Sequence, residues 1–258
     1  MVNAPDRAIA LTALACLDLT SLNDGDDEVQ IERLCARAAG PHGHVAAVCV
    51  WPRLAAVARR CAPPAVAVAA VANFPDGGTD RARVQREIEQ IRGAGAQEVD
   101  LVLPWRALLA GNTAVAGAVV AAARRASEGL RLKLIIESGE LPSAADVTEA
   151  CRIGLAEGVD FLKTSTGKTA HGASPEAAQL MLQAIAADPA ARARVGFKVS
   201  GGVRSVADAR VYLALTAQIL GAAALVPARL RIGASGLLAD IEATLAGREP
   251  GPATGATY

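Results

Sequence analysis

The chain reads as an α/β protein built as a single (β/α)8 barrel. Three observations predict it. Short β-branched runs alternate with longer Ala-, Arg- and Glu-rich segments eight times. The units recur roughly every 20 to 35 residues, the spacing of βαβ units. The first strand is followed by DLTSLND rather than a Gly-x-Gly-x-x-Gly turn, which argues against the dinucleotide-binding alternative.

Taken in order, strands are expected at 14–19, 45–50, 66–71, 99–103, 132–137, 159–164, 195–199 and 229–234. Helices are expected between and after them at 26–39, 52–61, 79–93, 113–128, 143–157, 174–187, 205–219 and 235–245. Several helices open on caps, namely Thr79 with Asp80, Ser143 followed by Asp146, and Ser174 before Pro175. Others close on glycine, as at Gly93, Gly129 and Gly158. Strands with so few polar residues suit a sheet covered by helices on one side and a packed barrel interior on the other. The barrel is expected to span 1–246. A mobile C-terminal tail, GREPGPATGATY, is expected at 247–258 because Gly, Pro and Thr dominate it.

Of the 258 residues, 52% are apolar and only 3% aromatic, so a large Ala-, Val- and Leu-rich core is expected and general disorder is not. Lys plus Arg equals Asp plus Glu at 26 each, so no global basic field exists to hold nucleic acid. An anionic ligand must be held by local groups. No apolar run is long enough to span a membrane, and the N-terminus lacks the basic start of a signal peptide. Five cysteines without CxxC spacing fit free thiols in a reducing cytoplasm. His42 and His44 precede the second strand, at the end opposite to catalysis, and no acidic or cysteine cluster joins them, so no metal is expected.

Working residues of a barrel lie at the C-terminal ends of its strands. Polar residues gather there: Asp18 and Thr20, Cys49, Asn73, Asp100, Glu137, Lys163 and Lys198. Lys163 stands out. Alternation puts it on one face with Phe161, inside VDFLKTSTGK. Buried, its ammonium would lose its proton readily and become a nucleophile toward carbonyls. On pattern alone, a lysine snorkelling from an edge strand fits equally well. Lys198, in GFKVSG, would lie on the next strand, and two neighbouring ammoniums cannot both stay charged cheaply. Asp100, in EVDLVLP, would pair with a lysine and relay protons, or simply complete a structural ion pair. Cys49 fits a small core residue better than a nucleophile, and Glu137 could accept hydrogen bonds in the barrel mouth or cap its own loop with Ser138. Two glycine loops, SGGVR after strand seven and GASG at the last helix, offer backbone N–H groups to a phosphate.

At these residues the chain resembles the class I deoxyribose-phosphate aldolase family. The segments that carry the resemblance run from LDLTSLN at 17–23 through AAVCVWP, VANFPDG, EVDLVLPWRALLAGN, LKLIIESGEL, DFLKTSTGK and FKVSGGVR to GASG. The resemblance implies Lys163 as the Schiff-base lysine, with Lys198 and Asp100 as its proton relay. It implies reversible cleavage of 2-deoxy-D-ribose 5-phosphate to acetaldehyde and D-glyceraldehyde 3-phosphate, in deoxyribonucleotide catabolism, without metal or organic cofactor. Substrate contacts are implied at Asp18, Thr20, Cys49, Thr166, Lys168, Gly201, Gly202, Ser235 and Gly236. Where relatives carry a second serine, this chain has Gly236. Its last residue, Tyr258, matches a tyrosine that ends some relatives and is assigned a part in proton transfer. A homodimer is the expected assembly. Two other readings use the same barrel: a sugar-phosphate isomerase with Asp100 as base, and a non-catalytic barrel that binds phosphorylated metabolites.

Overall fold

In the computed structural model, residues 4–248 are described. Eight parallel strands close into a barrel. In chain order they are β1 (Leu17–Thr20), β2 (Ala47–Val50), β3 (Ala67–Ala72), β4 (Glu98–Val102), β5 (Arg131–Ile135), β6 (Phe161–Lys163), β7 (Gly196–Ser200) and β8 (Leu230–Ala234). Each pairs with its sequence neighbours, and β8 closes onto β1. All eight expected strands are present. Because they are parallel, all eight following loops open at one end.

The helices are α1 (Ala4–Ala15), α2 (Glu28–Ala36), α3 (Ala55–Cys61), α4 (Arg81–Gly93), α5 (Trp105–Leu109), α6 (Thr113–Ala126), α7 (Ala144–Ala156), α8 (Pro175–Ala187), α9 (Pro189–Arg194), α10 (Val206–Leu220) and α11 (Leu237–Leu245). Their starts follow from local chemistry. Asp27 and Gln30 form a reciprocal capping box on α2, as Ser205 and Asp208 do on α10. Ser143 and Ser174 cap α7 and α8 as expected. At α4 the cap is Asp80, whose side chain accepts from Arg83 N, not Thr79.

Three helices were not anticipated. The stretch read as the start of strand one instead ends α1, whose alanine-rich sequence favours helix and packs against α10 and α11. The short helices α5 and α9 sit in segments too brief to show periodicity, and α9 is started by Asp188 accepting from Ala190 N and Ala191 N. His42 and His44 lie on a small hairpin, Ala39–Gly40 against Gly43–His44, ahead of β2. Of the expected tail, 249–258 and with them Tyr258 lie outside the described residues. No helix among the described residues is long and apolar enough to cross a membrane.

Inside the barrel, side chains stack in layers. Phe161 fills the foot, and it does so because its register partner is Gly196. A Cβ on Gly196 would sit 2.2 Å from Phe161 Cε1. Both neighbours are buried strand positions with little room to shift. Gly196→Ala is therefore expected to lower stability by about 1–3 kcal/mol through overpacking, read as a lower urea midpoint at unchanged slope.

Candidate active site

Seven charged side chains share the middle of the barrel: Asp18, Glu98, Asp100, Lys133, Lys163, Lys198 and Arg231, none more than 3% exposed. Strand register brings them together. Lys163 on β6 lies directly across from Lys198 on β7, Lys198 across from Arg231 on β8, and Asp100 on β4 across from Lys133 on β5. Small inward neighbours leave room. A Cβ on Gly233 would approach Lys198 Cε to 3.1 Å.

The ion pairs have a definite order. Asp100 Oδ2 accepts from Lys163 Nζ at 2.8 Å and from Lys198 Nζ at 2.7 Å, while its Oδ1 accepts from Lys133 Nζ at 2.7 Å. Lys198 also donates to Asp18 Oδ2 at 2.6 Å. Arg231 donates to Asp18 Oδ1 at 2.6 Å and to Glu98 Oε1 at 2.7 Å, and Glu98 Oε2 returns to Lys133 Nζ at 2.7 Å. The path Arg231–Glu98–Lys133–Asp100–Lys198–Asp18 is thus a closed ring of six alternating charges. Lys163 hangs from it at Asp100 and has no carboxylate of its own.

That position separates the lysines electrostatically. Lys163 is held below the ordinary lysine value: burial is the largest cause, Asp100 opposes it, and the charge on Lys198 adds to it. For Lys198 burial works in the same direction, but Asp100 and Asp18 together hold it well above the usual value. Lys133 is likewise raised against burial, by Asp100 and Glu98. Burial disfavours the charged carboxylates too, yet the surrounding cations outweigh it. Glu98 is pulled down to about 2 by Lys133 and Arg231, and Asp100 and Asp18 are likewise held well below the usual carboxylate range by the cations around them. The expectation that a neighbouring ammonium would depress Lys163 therefore holds as a secondary contribution, with desolvation ahead of it.

The other expected site residues divide into two groups. Asp18 is fully buried with both oxygens engaged by ring cations, so it belongs to the ion-pair layer. Cys49 is also fully buried, 4.0 Å from Asp100 Oδ2, and burial pushes its thiol up. Thr20 donates to the carbonyl of Asp18. Above the ring, Thr166 Oγ1 accepts from Lys168 N at 3.0 Å, and Thr166 N donates to Glu137 Oε1 at 3.0 Å. Glu137 thus ties the β5 loop to the β6 loop instead of capping its own, from a left-handed backbone with φ 54°. Its Oε2, with Ser138 Oγ and Ser165 Oγ, is buried in these two loops without a protein partner among the described residues. Gly201 and Gly202 have φ of 87° and 94°, which only glycine adopts readily, and Gly236 takes the N-cap of α11. Among the described residues, no group of three or more His, Cys, Asp and Glu side chains is arranged to hold a metal ion.

Lys133, Glu98 and Arg231 escaped the sequence reading. The signal was the one that singled out Lys163: a charge at an inward alternating position of an apolar strand. Lys133 sits in LKLII, Arg231 in LRIGA, and Glu98 two residues before Asp100.

Known proteins share this chain's sequence pattern and its fold. The model of the DeoC/LacD family aldolases matches residues 12–241. A curated protein of Agrobacterium fabrum (strain C58), named deoxyribose-phosphate aldolase, is 44% identical over 252 residues, covering 96% of each chain. A solved structure from Toxoplasma gondii ME49 shares the fold with a TM-score of 0.85 at 22% identity, over 95% of this chain and 98% of that one. The structure of a deoxyribose phosphate aldolase from Aeropyrum pernix, described as tetrameric, aligns with a TM-score of 0.71 at 23% identity, over 93% and 97%.

The ring makes stability depend on pH with a definite sign. Its carboxylates have folded values below their unfolded ones, so their contribution is fully present above about pH 4–5. It is lost progressively as pH falls from there toward the folded values, which for Glu98 is about 2. Lys163 has the opposite sense among lysines: its folded value is depressed, so folding gains stability as pH rises through it. Urea midpoints measured from pH 2 to pH 7 should therefore climb steeply on the acid side and level off toward neutrality.

Proposed function

Because the chain belongs to the DeoC/LacD family of aldolases, we propose that it reversibly cleaves 2-deoxy-D-ribose 5-phosphate to acetaldehyde and D-glyceraldehyde 3-phosphate through a Schiff base on Lys163. The observation that carries this reading is the placement of Lys163. It is a buried lysine with a depressed affinity for its proton, at the loop end of its strand, hydrogen-bonded to a carboxylate that two other lysines keep ionised.

The steps follow from that arrangement. Neutral Lys163 adds to C1 of the open-chain aldehyde, and the carbinolamine loses water to give an iminium ion. Lys198 and Asp100, joined at 2.7 Å, hand on the protons that these steps release and consume. Removal of the C3 hydroxyl proton breaks the C2–C3 bond. The electron pair flows into the iminium, and glyceraldehyde 3-phosphate leaves. The enamine is then protonated at C2, and water releases acetaldehyde and regenerates Lys163. The lysine supplies the electron sink, so neither a metal nor an organic cofactor is part of this route.

The phosphate is read onto Lys168, the backbone of Gly201 and Gly202, and the start of α11 at Ser235 and Gly236. Positive-φ glycines and a helix N-terminus present N–H groups to an anion there. Gly236 keeps such a group where a serine would add a hydroxyl. Thr20, Cys49 and Thr166 complete the expected contacts around the ring. The same reading takes the barrel as 1–246, the protein as cytoplasmic and the assembly as a homodimer. Sedimentation equilibrium separates that dimer from the tetramer of the Aeropyrum pernix relative. For Tyr258, deletion of the last residue should slow exchange of the C2 proton if the phenol takes part.

Two measurements test the chemistry. Substrate with borohydride should fix a two-carbon adduct on Lys163, located by peptide mapping, and Lys163→Met should lose both the adduct and at least about a thousandfold in kcat/KM. Aldol turnover retained in Lys163→Met would defeat the reading. Lys168→Ala should raise KM for deoxyribose 5-phosphate by on the order of tenfold or more, while leaving turnover of unphosphorylated deoxyribose nearly unchanged.

A further inference from the structure

The seven buried charges do not balance when all are ionised. Four are cations and three are carboxylates. The closed ring is neutral by itself, since its three cations alternate with its three carboxylates. The surplus cation is Lys163, which borrows Asp100 Oδ2 from Lys198. In a low-dielectric interior an uncompensated charge is expensive, and the cheapest remedy is loss of a proton by the group with the weakest claim on a counter-ion.

We propose that Arg231 and Glu98, at the foot of the barrel, are positioning residues that set the protonation of Lys163 by closing this ring. Neither touches Lys163. Arg231 acts through Asp18 and Lys198 on one side and through Glu98 and Lys133 on the other, and both arms meet at Asp100. While the ring is closed and neutral, Asp100 has no charge left over for a third cation. If one cation is taken away at the foot, the ring becomes net negative, and Lys163 is the one remaining group that can restore balance by keeping its proton. If one carboxylate is neutralised there, the ring becomes net positive and Lys163 yields its proton more readily. The nucleophile is thereby tuned from a place the substrate does not reach.

The other groups around Lys163 do not alter the count. Cys49 faces it from β2 as a neutral thiol, held so by burial. Glu137, from the end of β5, spends one oxygen on Thr166 N, and burial moves its carboxyl toward the neutral form. Arg131 joins Glu98 at the solvent-reaching edge of the foot and is common to every variant below.

The inference rests on Lys163 being the imine-forming lysine, and the experiment separates the two ideas. The full-length protein is treated with acetaldehyde and cyanoborohydride across pH, and the rate of adduct formation on Lys163 is followed by mass spectrometry. Its pH midpoint reports the proton on Lys163 without requiring turnover. Arg231→Met should move the midpoint upward by about one pH unit or more, a tenfold or greater loss of trapping rate at a fixed pH below it. Glu98→Gln should move it downward. Arg231→Lys should hold it near the parent value, and Arg231→Met combined with Glu98→Gln, which restores the balance, should return it there. Mere loosening of the barrel would not reverse sign between two neighbours. Should Arg231→Met fail to fold by circular dichroism, Glu98→Gln and the double variant decide the matter. A midpoint unmoved by Glu98→Gln, moved upward by it, or not restored in the double variant overturns the inference. Absence of any adduct on Lys163 in the parent protein would instead overturn the reading of Lys163 as the nucleophile.

Discussion

The closed ring of alternating charges in the barrel centre is the constraint on which the site depends. Burying six ionised groups is costly one at a time and tolerable only when each finds its partners. Here each ring member contacts two others of opposite sign at hydrogen-bond distance. The result is a rigid, neutral platform. One of its carboxylates, Asp100, faces upward to a lysine that the platform does not need. A lysine in water keeps its proton at neutral pH. A lysine pressed against a saturated platform and shut away from solvent does not keep it so firmly.

The barrel supplies what such a platform requires. Closure removes the sheet edge, so no lysine on β6 can snorkel sideways to water. Parallel register puts Lys163, Lys198 and Arg231 at adjoining heights on three successive strands. Packing below them is equally strict: Phe161 seals the foot over Gly196, and the guanidinium groups of Arg131 and Arg231 stand 5.8 and 5.7 Å from its ring centroid. Above, Glu137 and Thr166 join the loops that follow β5 and β6, and Thr164 joins the end of β6 to Ser200 at the end of β7. The ring thus has a hydrophobic floor and a polar, glycine-rich roof.

Much of this was legible in the residues. The eight strands are visible because each is a β-branched run among alanine-rich helical stretches, and the caps at Ser143, Ser174 and Asp80 act over three residues of local chain. Lys163, Lys198 and Asp100 are conspicuous because each interrupts an apolar strand. Lys133, Glu98 and Arg231 interrupt theirs in the same way, yet pairing among them is a matter of closure across strands far apart in sequence. The helix α1 was obscured because Leu14 and its neighbours are apolar enough for either element. Only packing beside α10 and α11 selects the helix.

The sequence alone determined the barrel, the family resemblance and a lysine that has to be explained, because periodicity, turn chemistry and residue type are local properties. Tertiary structure decided which carboxylate each cation meets, that Asp18 lies in the ion-pair layer, and that Glu137 reaches across to Thr166. It also decided which of three buried lysines is left without a carboxylate of its own. Those outcomes depend on strand register and barrel closure. A proton's affinity is set by every charge within a few ångströms, and those neighbours are brought together only when the first strand meets the last.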